Sequence, residues 1–337
     1  MQMQTRTTDV PVLSLSDWRP GSPATRDRLV ATLRHALHEV GFYMLVDHGI
    51  DWDLVEEVFE AARRFHALPL ETKLSLKANR HNVGYMPVRG SVTRATPVGE
   101  EAALPNVVEA FFLKRDLPPD HPDVLADRPF RCANQWPDPE LLPGFRETTM
   151  RYAAEIERLC LDLLPLYALA LDLPEDFFRE AFADPQFSLR LSHYPPVPGY
   201  AEREYGLAPH SDSSFLTMLP QSGAEGLSIR LPDGRWIDIP VIERTIVVNS
   251  GDLLKRWSND RVLSTPHRAV NRGEGDRYAV PFFFDCSGGY GMACLPSCTD
   301  ADNPPRYPPV TYIDYMLWFT NRNYAHVRQD PAGPFGP

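Results

Sequence analysis

The sequence predicts a mainly β protein with attached helices, an α+β chain whose core is a sandwich or jelly roll. Three observations predict it. After Gln186 the apolar period falls to two, and turn residues recur between short segments. Prolines number 34 in 337 residues, roughly a tenth against a usual ~5%. They cluster as Pro195-Pro196, Pro304-Pro305 and Pro308-Pro309, which suits strand ends and turns. Before Gln186, in contrast, apolar residues recur mostly at helical spacing.

Taken in order, Val10 to Leu15 reads as a short strand. From Thr25 to Val40, Leu29, Leu33, Ala36, Leu37 and Val40 share one helical face, and Gly41 supplies the stop. Phe42 to Val46 reads as a buried strand that ends at His48-Gly49. A second amphipathic helix covers about Asp53 to Leu68. A third helical pattern runs from Phe145 to Leu171, with Pro165 expected to kink or divide it. Candidate strands follow at Phe187–Tyr194, Phe215–Leu219, Leu227–Leu231, Trp236–Ile239, Thr245–Val248 and Tyr278–Phe284. Asp233-Gly234 is a hairpin signal between two of them. Tyr312 to Asn321 closes the chain as a helix. With no internal repeat and no low-complexity linker, we expect a single domain over 1–337. Residues 10–180 form its mostly helical N-terminal region, 186–286 its β core and 287–337 its C-terminal segment.

Composition narrows the function. At 43% hydrophobic and 11% aromatic the chain can bury a sizeable core. Lys plus Arg number 34 against 45 Asp plus Glu, a net charge of −11, which repels phosphate backbones and anionic lipid. Nucleic acid and membrane are therefore excluded as expected partners. Met1 to Thr8 lacks the apolar core of a secretory signal, and no apolar run nears the ~20 residues needed to span a bilayer. Five cysteines, an odd number in a long chain, do not read as a disulfide framework. Nothing completes a zinc site around Cys294 and Cys298. The expectation is a protein of the cytoplasm, monomer or weak homodimer, acting on a small molecule.

His210-Ser211-Asp212, then His267 and Arg277, carry the chemistry. Two imidazoles and one carboxylate can occupy one face of a metal and leave the other open, the arrangement of non-haem Fe(II) that activates oxygen. Asp212 lies two residues after His210, so extended chain sends both side chains the same way. Arg277, ten residues after His267, adds a fixed cation able to grip a carboxylate through two parallel bonds. Alone, a His-x-Asp is usually a solvated loop pair and a single histidine usually a packed one. The weight lies in the ordered set Leu207-Ala-Pro-His-Ser-Asp, Asn249-Ser-Gly-Asp-Leu-Leu, Ser264-Thr-Pro-His-Arg-Ala-Val-Asn and Arg277-Tyr-Ala-Val-Pro-Phe-Phe.

That ordered set resembles the isopenicillin N synthase-like group of Fe(II)- and 2-oxoglutarate-dependent oxygenases. The resemblance covers most of the chain, from Val10–Leu15 and Gly41-Phe-Tyr-Met-Leu-Val-Asp-His-Gly onward. It implies a double-stranded β-helix, a jelly roll, over 186–286. It also implies that His210, Asp212 and His267 ligate Fe(II), leaving positions for 2-oxoglutarate and O2. Arg277 resembles the residue that pairs with the distal carboxylate of 2-oxoglutarate. Tyr194, in Leu191-Ser-His-Tyr-Pro-Pro, resembles a tyrosine that helps hold it, although a strand tyrosine packed in the core fits equally. His193 should face the other way. The implied activity is oxidative decarboxylation of 2-oxoglutarate coupled to hydroxylation, desaturation or cyclisation of a small organic molecule.

One departure matters. The family usually carries Arg-x-Ser, and here the third position is Ala279. Arg277 and Ala279 share a strand face, so a hydroxyl is missing beside the carboxylate, a contact of about 1.5–3 kcal/mol. Binding is then weaker, or another donor supports it. Two rival readings stay open: an iron oxidase that does not use 2-oxoglutarate, with Arg277 on the substrate's own carboxylate, and a non-catalytic jelly-roll binding protein. Substrate candidates are Tyr85, Arg89, Arg94, Met218, Phe283 and Trp318, each weighed against ordinary packing or solvation.

Overall fold

The computed structural model describes residues 9–16, 18, 22–92 and 104–323. The chain begins with β1 (Val12–Ser14), α1 (Pro23–His35), β2 (Phe42–Val46), α2 (Trp52–His66) and α3 (Leu70–Ser75). β3 (Gly84–Met86), β4 (Glu109–Lys114), α4 (Pro122–Leu125) and α5 (Phe145–Ala170) follow. The β-rich part comprises β5 (Gln186–Tyr194), β6 (Leu207–His210), β7 (Leu216–Pro220), β8 (Leu227–Arg230), β9 (Trp236–Asp238) and β10 (Ile246–Ser250). After α6 (Asp252–Trp257) come β11 (His267–Ala269), β12 (Arg277–Ala279), β13 (Phe282–Asp285), β14 (Gly291–Met292), β15 (Val310–Thr311) and α7 (Tyr312–Asn323).

Two sheets form the jelly roll. The larger has the order β1-β2-β10-β7-β13-β5-β4-β3, with β12 also beside β5; the smaller has the order β6-β11-β8-β9. Tyr194 and Ala279 of the larger sheet pack with Ala269 and Leu207 of the smaller, so the sheets face each other. Helices α1, α2 and α5 cover the outer side of the larger sheet, where Leu33, Phe65, Ile156 and Leu163 join Leu189 and Phe282 in one core.

Four local outcomes depart from the sequence reading. The first helix widens into a π turn over Ala36–Val40, where Gly41, at φ 74°, donates its N–H to Ala36 O at 2.7 Å. α5 is not divided at Pro165. Leu163, Leu164, Leu166 and Tyr167 around it are buried, and that packing outweighs one lost backbone bond. Tyr278–Phe284 is two strands, parted at Val280-Pro281, because Pro281 has no N–H for a ladder. The N-terminal region also contributes two strands that the sequence reading did not include: β3 and β4 join the expected β1 and β2 in the core sheet.

Candidate active site

In the smaller sheet His210 of β6 lies directly opposite His267 of β11. Opposed residues of an antiparallel pair project to one face, and the two ring centroids are 4.3 Å apart. β6 ends at His210, and the turn that follows brings in Asp212. Its Oδ1 is 3.7 Å from His210 Nε2 and 3.6 Å from His267 Nε2.

The remaining polar atoms of this trio are engaged elsewhere. His210 Nδ1 donates to Ala208 O at 2.9 Å and His267 Nδ1 to Thr265 O at 3.2 Å, which leaves each Nε2 lone pair free. Asp212 Oδ2 accepts from Thr217 Oγ1 at 2.6 Å and Asn249 Nδ2 at 2.8 Å. The backbone is pinned as well, since Asp252 N–H donates to Asp212 O at 2.7 Å. Burial, then the charge of His267, lowers the His210 pKa and keeps it neutral. Burial opposes the Asp212 charge, but the two imidazoles, Thr217 and Asn249 outweigh it and hold the carboxyl below its usual range. Neutral imidazoles and an ionised carboxylate are what a divalent metal requires.

Arg277 of β12 faces Tyr194 of β5, and Ala279 faces Ser192. The guanidinium lies 4.8 Å from the Tyr194 ring centroid, and Nε donates to Glu225 O at 3.0 Å. Gly226 lets that loop approach: a side chain there would meet Val270 O at 1.9 Å. Arg277 Nη1 is buried without a hydrogen-bond partner. Because arginine cannot shed its proton, that atom calls for an acceptor, and a carboxylate fits. Tyr194 is buried in the apolar group around Ala279, as a packed strand tyrosine would be, and its ring lies against the Arg277 guanidinium. Ser192, opposite Ala279 on the paired strand, puts a hydroxyl on the same sheet face as Arg277.

A cavity of about 130 Å³ opens beside the histidines. His210, Asp212 and Ser213 form one wall, Phe112 and Arg190 a second, and Phe283 and Phe319 line it too. Of the predicted substrate residues, Phe283 lines this cavity. Met218 does not: it is fully buried in the core behind the sheet, since its strand alternation turns it away. Tyr85 is buried and donates to Glu109 Oε2. Arg89 is exposed and pairs with Glu204 at 2.7 Å. Trp318 packs on the core beside Tyr315, while α7 gives the cavity Met316, Phe319 and Thr320 instead. Arg94 lies outside the described residues.

Sequence reasoning missed Arg190, Ser192, Lys114 and Asp285. For Arg190 and Ser192 the signal was available, because both alternate with Tyr194 along one strand. Lys114 and Asp285 sit at the ends of strands that read as apolar runs. Burial lowers Lys114 to about 8 and raises Asp285 to about 7.

A second trio of two histidines and a carboxylate exists. His66, Glu109 and His193 offer ligand atoms within 4.8 Å of one another, as do His210, Asp212 and His267. Here, however, Lys73 Nζ lies 2.8 Å from Glu109 Oε2. His193 spends both nitrogens, Nδ1 on Glu109 at 2.7 Å and Nε2 on Asp276 at 2.8 Å.

Comparisons with known proteins indicate the family. A family model described as the 2OG-Fe(II) oxygenase superfamily matches residues 185–285. Another, the N-terminal region of a non-haem dioxygenase in morphine synthesis, matches 10–139. The 2-oxoglutarate-Fe(II) type oxidoreductase hxnY of Emericella nidulans is 33% identical, over 94% of this chain and 91% of that protein. A 2-oxoglutarate-dependent dioxygenase of Didymella fabae is 34% identical, over 94% and 97%. Among solved structures, Neurospora crassa T7H in complex with alpha-KG superposes with a TM-score of 0.77 at 27% identity, covering 91% of this chain and 94% of that one.

Proposed function

The chain belongs to the 2OG-Fe(II) oxygenase superfamily, and we propose that His210, Asp212 and His267 hold its Fe(II) while Arg277 holds the distal carboxylate of 2-oxoglutarate. The protein is a 2-oxoglutarate-Fe(II) dioxygenase acting on a small molecule. One observation carries the site assignment. Three ligand atoms converge, their other polar atoms are tied back to the protein, and among the described residues no lysine or arginine forms an ion pair with Asp212. With O2, the bound metal and 2-oxoglutarate supply an oxidant, yielding succinate and CO2 as the substrate is hydroxylated, desaturated or cyclised.

The residues around the metal have defined tasks. Ala208 and Thr265 hold the imidazoles in the tautomer that presents Nε2. Thr217 and Asn249 hold Asp212 so that only Oδ1 turns inward. Arg277 and Ser192 orient 2-oxoglutarate from its far end, and Tyr194 limits its sideways movement. The facing sheets and α7 keep bulk water from the reacting carbon. No helix among the described residues is long and apolar enough to cross a membrane. We also propose a cytoplasmic monomer or weak homodimer without nucleic-acid partners, a reading supported by the net charge of −11 and the free cysteines.

Titrating 2-oxoglutarate into the anaerobic Fe(II) protein tests the assignment. Arg277→Met should weaken binding by several kcal/mol, because it leaves a desolvated carboxylate without its cation. Ser192→Ala should weaken it by about 1–2 kcal/mol. Succinate formation in air should fall in the same order. Unchanged binding in Arg277→Met would place the cosubstrate elsewhere.

A further inference from the structure

We propose that the substrate is a small, ring-bearing organic acid whose carboxylate is held by Arg190 in the cavity beside the metal ligands. The proposal rests on the reading of that site given above and adds the class of molecule it takes.

Arg190 is 8% exposed, and two of its guanidinium nitrogens, Nε and Nη2, are buried with no hydrogen-bond partner. Its guanidinium lies over the Phe112 ring at 5.2 Å, which holds it in place without neutralising it. A lysine could lose its proton in such a place; an arginine cannot, so its charge needs an anion. The acids on the cavity wall are already committed. Asp212 belongs to the metal trio. Asp285 accepts from Phe215 N–H at 2.8 Å and feels the charge of Lys114. Among the described residues, no carboxylate is paired with Arg190.

The rest of the cavity describes the body of the ligand. Phe112, Phe130, Phe283 and Phe319 line it, surfaces that favour a flat apolar group stacked or edge-on. At about 130 Å³ it has room for on the order of ten waters, which suits one ring and its acid group. Arg190 and Arg277 both face inward, four residues apart in register along β5, since Arg277 pairs with Tyr194. Two anions can therefore be gripped at once, the cosubstrate by one arginine and the substrate by the other.

The test is calorimetric binding to the full chain loaded with Zn(II) in place of Fe(II) and saturated with 2-oxoglutarate. The probes are benzoate, phenylacetate and cinnamate, each beside its carboxamide. The unmodified protein should prefer at least one acid over its amide by about 10- to 100-fold. Arg190→Met should bring that ratio to within about twofold, and Arg190→Lys, which restores a cation without the fork, should recover part of it. A panel in which no acid outbinds its amide, or an Arg190→Met protein that keeps the preference, overturns the proposal. The 2-oxoglutarate titration of the same proteins reads the other assignment separately. Loss of 2-oxoglutarate binding in Arg190→Met but not in Arg277→Met would overturn both. Loss in Arg277→Met alone leaves the acid-over-amide ratio to decide this one.

Discussion

His210, Asp212 and His267 at one place in the molecule, and His66, Glu109 and His193 at another, each bring two imidazoles and a carboxylate within the same mutual reach. What surrounds them differs. In the first trio the imidazoles give their Nδ1 protons to backbone carbonyls and keep Nε2 lone pairs directed at one point. In the second, His193 donates from both nitrogens to carboxylates and has no lone pair for a metal. Its pKa is raised: burial opposes the charge, and Glu109 and Asp276 outweigh it. Lys73 and Tyr85 occupy the other oxygen of Glu109. One trio is an anion awaiting its cation. The other already contains its cations, and a metal could enter only by expelling them. A His-carboxylate-His cluster is thus defined by the partners of its outer atoms as much as by its three residues.

Substituting the two carboxylates should separate the trios most widely. Glu109→Gln leaves the buried Lys73 without its anion and His193 with only Asp276, and should cost about 3–5 kcal/mol of stability. Asp212→Asn, in the metal-free protein, removes a buried charge that is in no ion pair with a lysine or arginine among the described residues, and keeps an oxygen for Thr217 and Asn249. Its stability should stay within about 1 kcal/mol of the unmodified protein. Urea melts of both variants with chelator present make the comparison, and equal losses would dissolve the distinction. Adding Fe(II) anaerobically should then stabilise the unmodified protein and Glu109→Gln but not Asp212→Asn, since only a bound ligand shifts the melt.

A smaller effect concerns pH. Because the folded pKa of His193 is raised, its charge contributes stability that is fully present below the unfolded value near 6.5 and fades as pH rises through the folded value. Asp276→Asn removes one of the two acids responsible and should flatten that slope of stability against pH. A slope that persists would assign it to another group.

How much of this was legible follows from distance along the chain. His210 and Asp212 are two residues apart, and His267 and Arg277 lie in one short stretch, so their pattern could be read directly. The Glu109 network could not. His66, Lys73, Glu109 and His193 come from α2, α3, β4 and β5, and only the sheet register unites them. β4 itself left no period to read, because all six of its residues are buried, and a strand covered on both faces shows no alternation. Ser192 was visible as a residue but not as a neighbour of Ala279. Recognising that required knowing that β12 pairs with β5. The break at Pro281 was written in the sequence, and the apolar run around it obscured the signal.

Metal content per chain tests the central distinction most directly. The protein is equilibrated anaerobically with excess Fe(II), freed of unbound metal and analysed for iron. The unmodified chain should retain one ion. His193→Ala should also retain one, and His267→Ala should retain none. Two ions in the unmodified chain, or iron lost from His193→Ala and kept by His267→Ala, would contradict the claim that the partners of the outer atoms decide which trio is the metal centre.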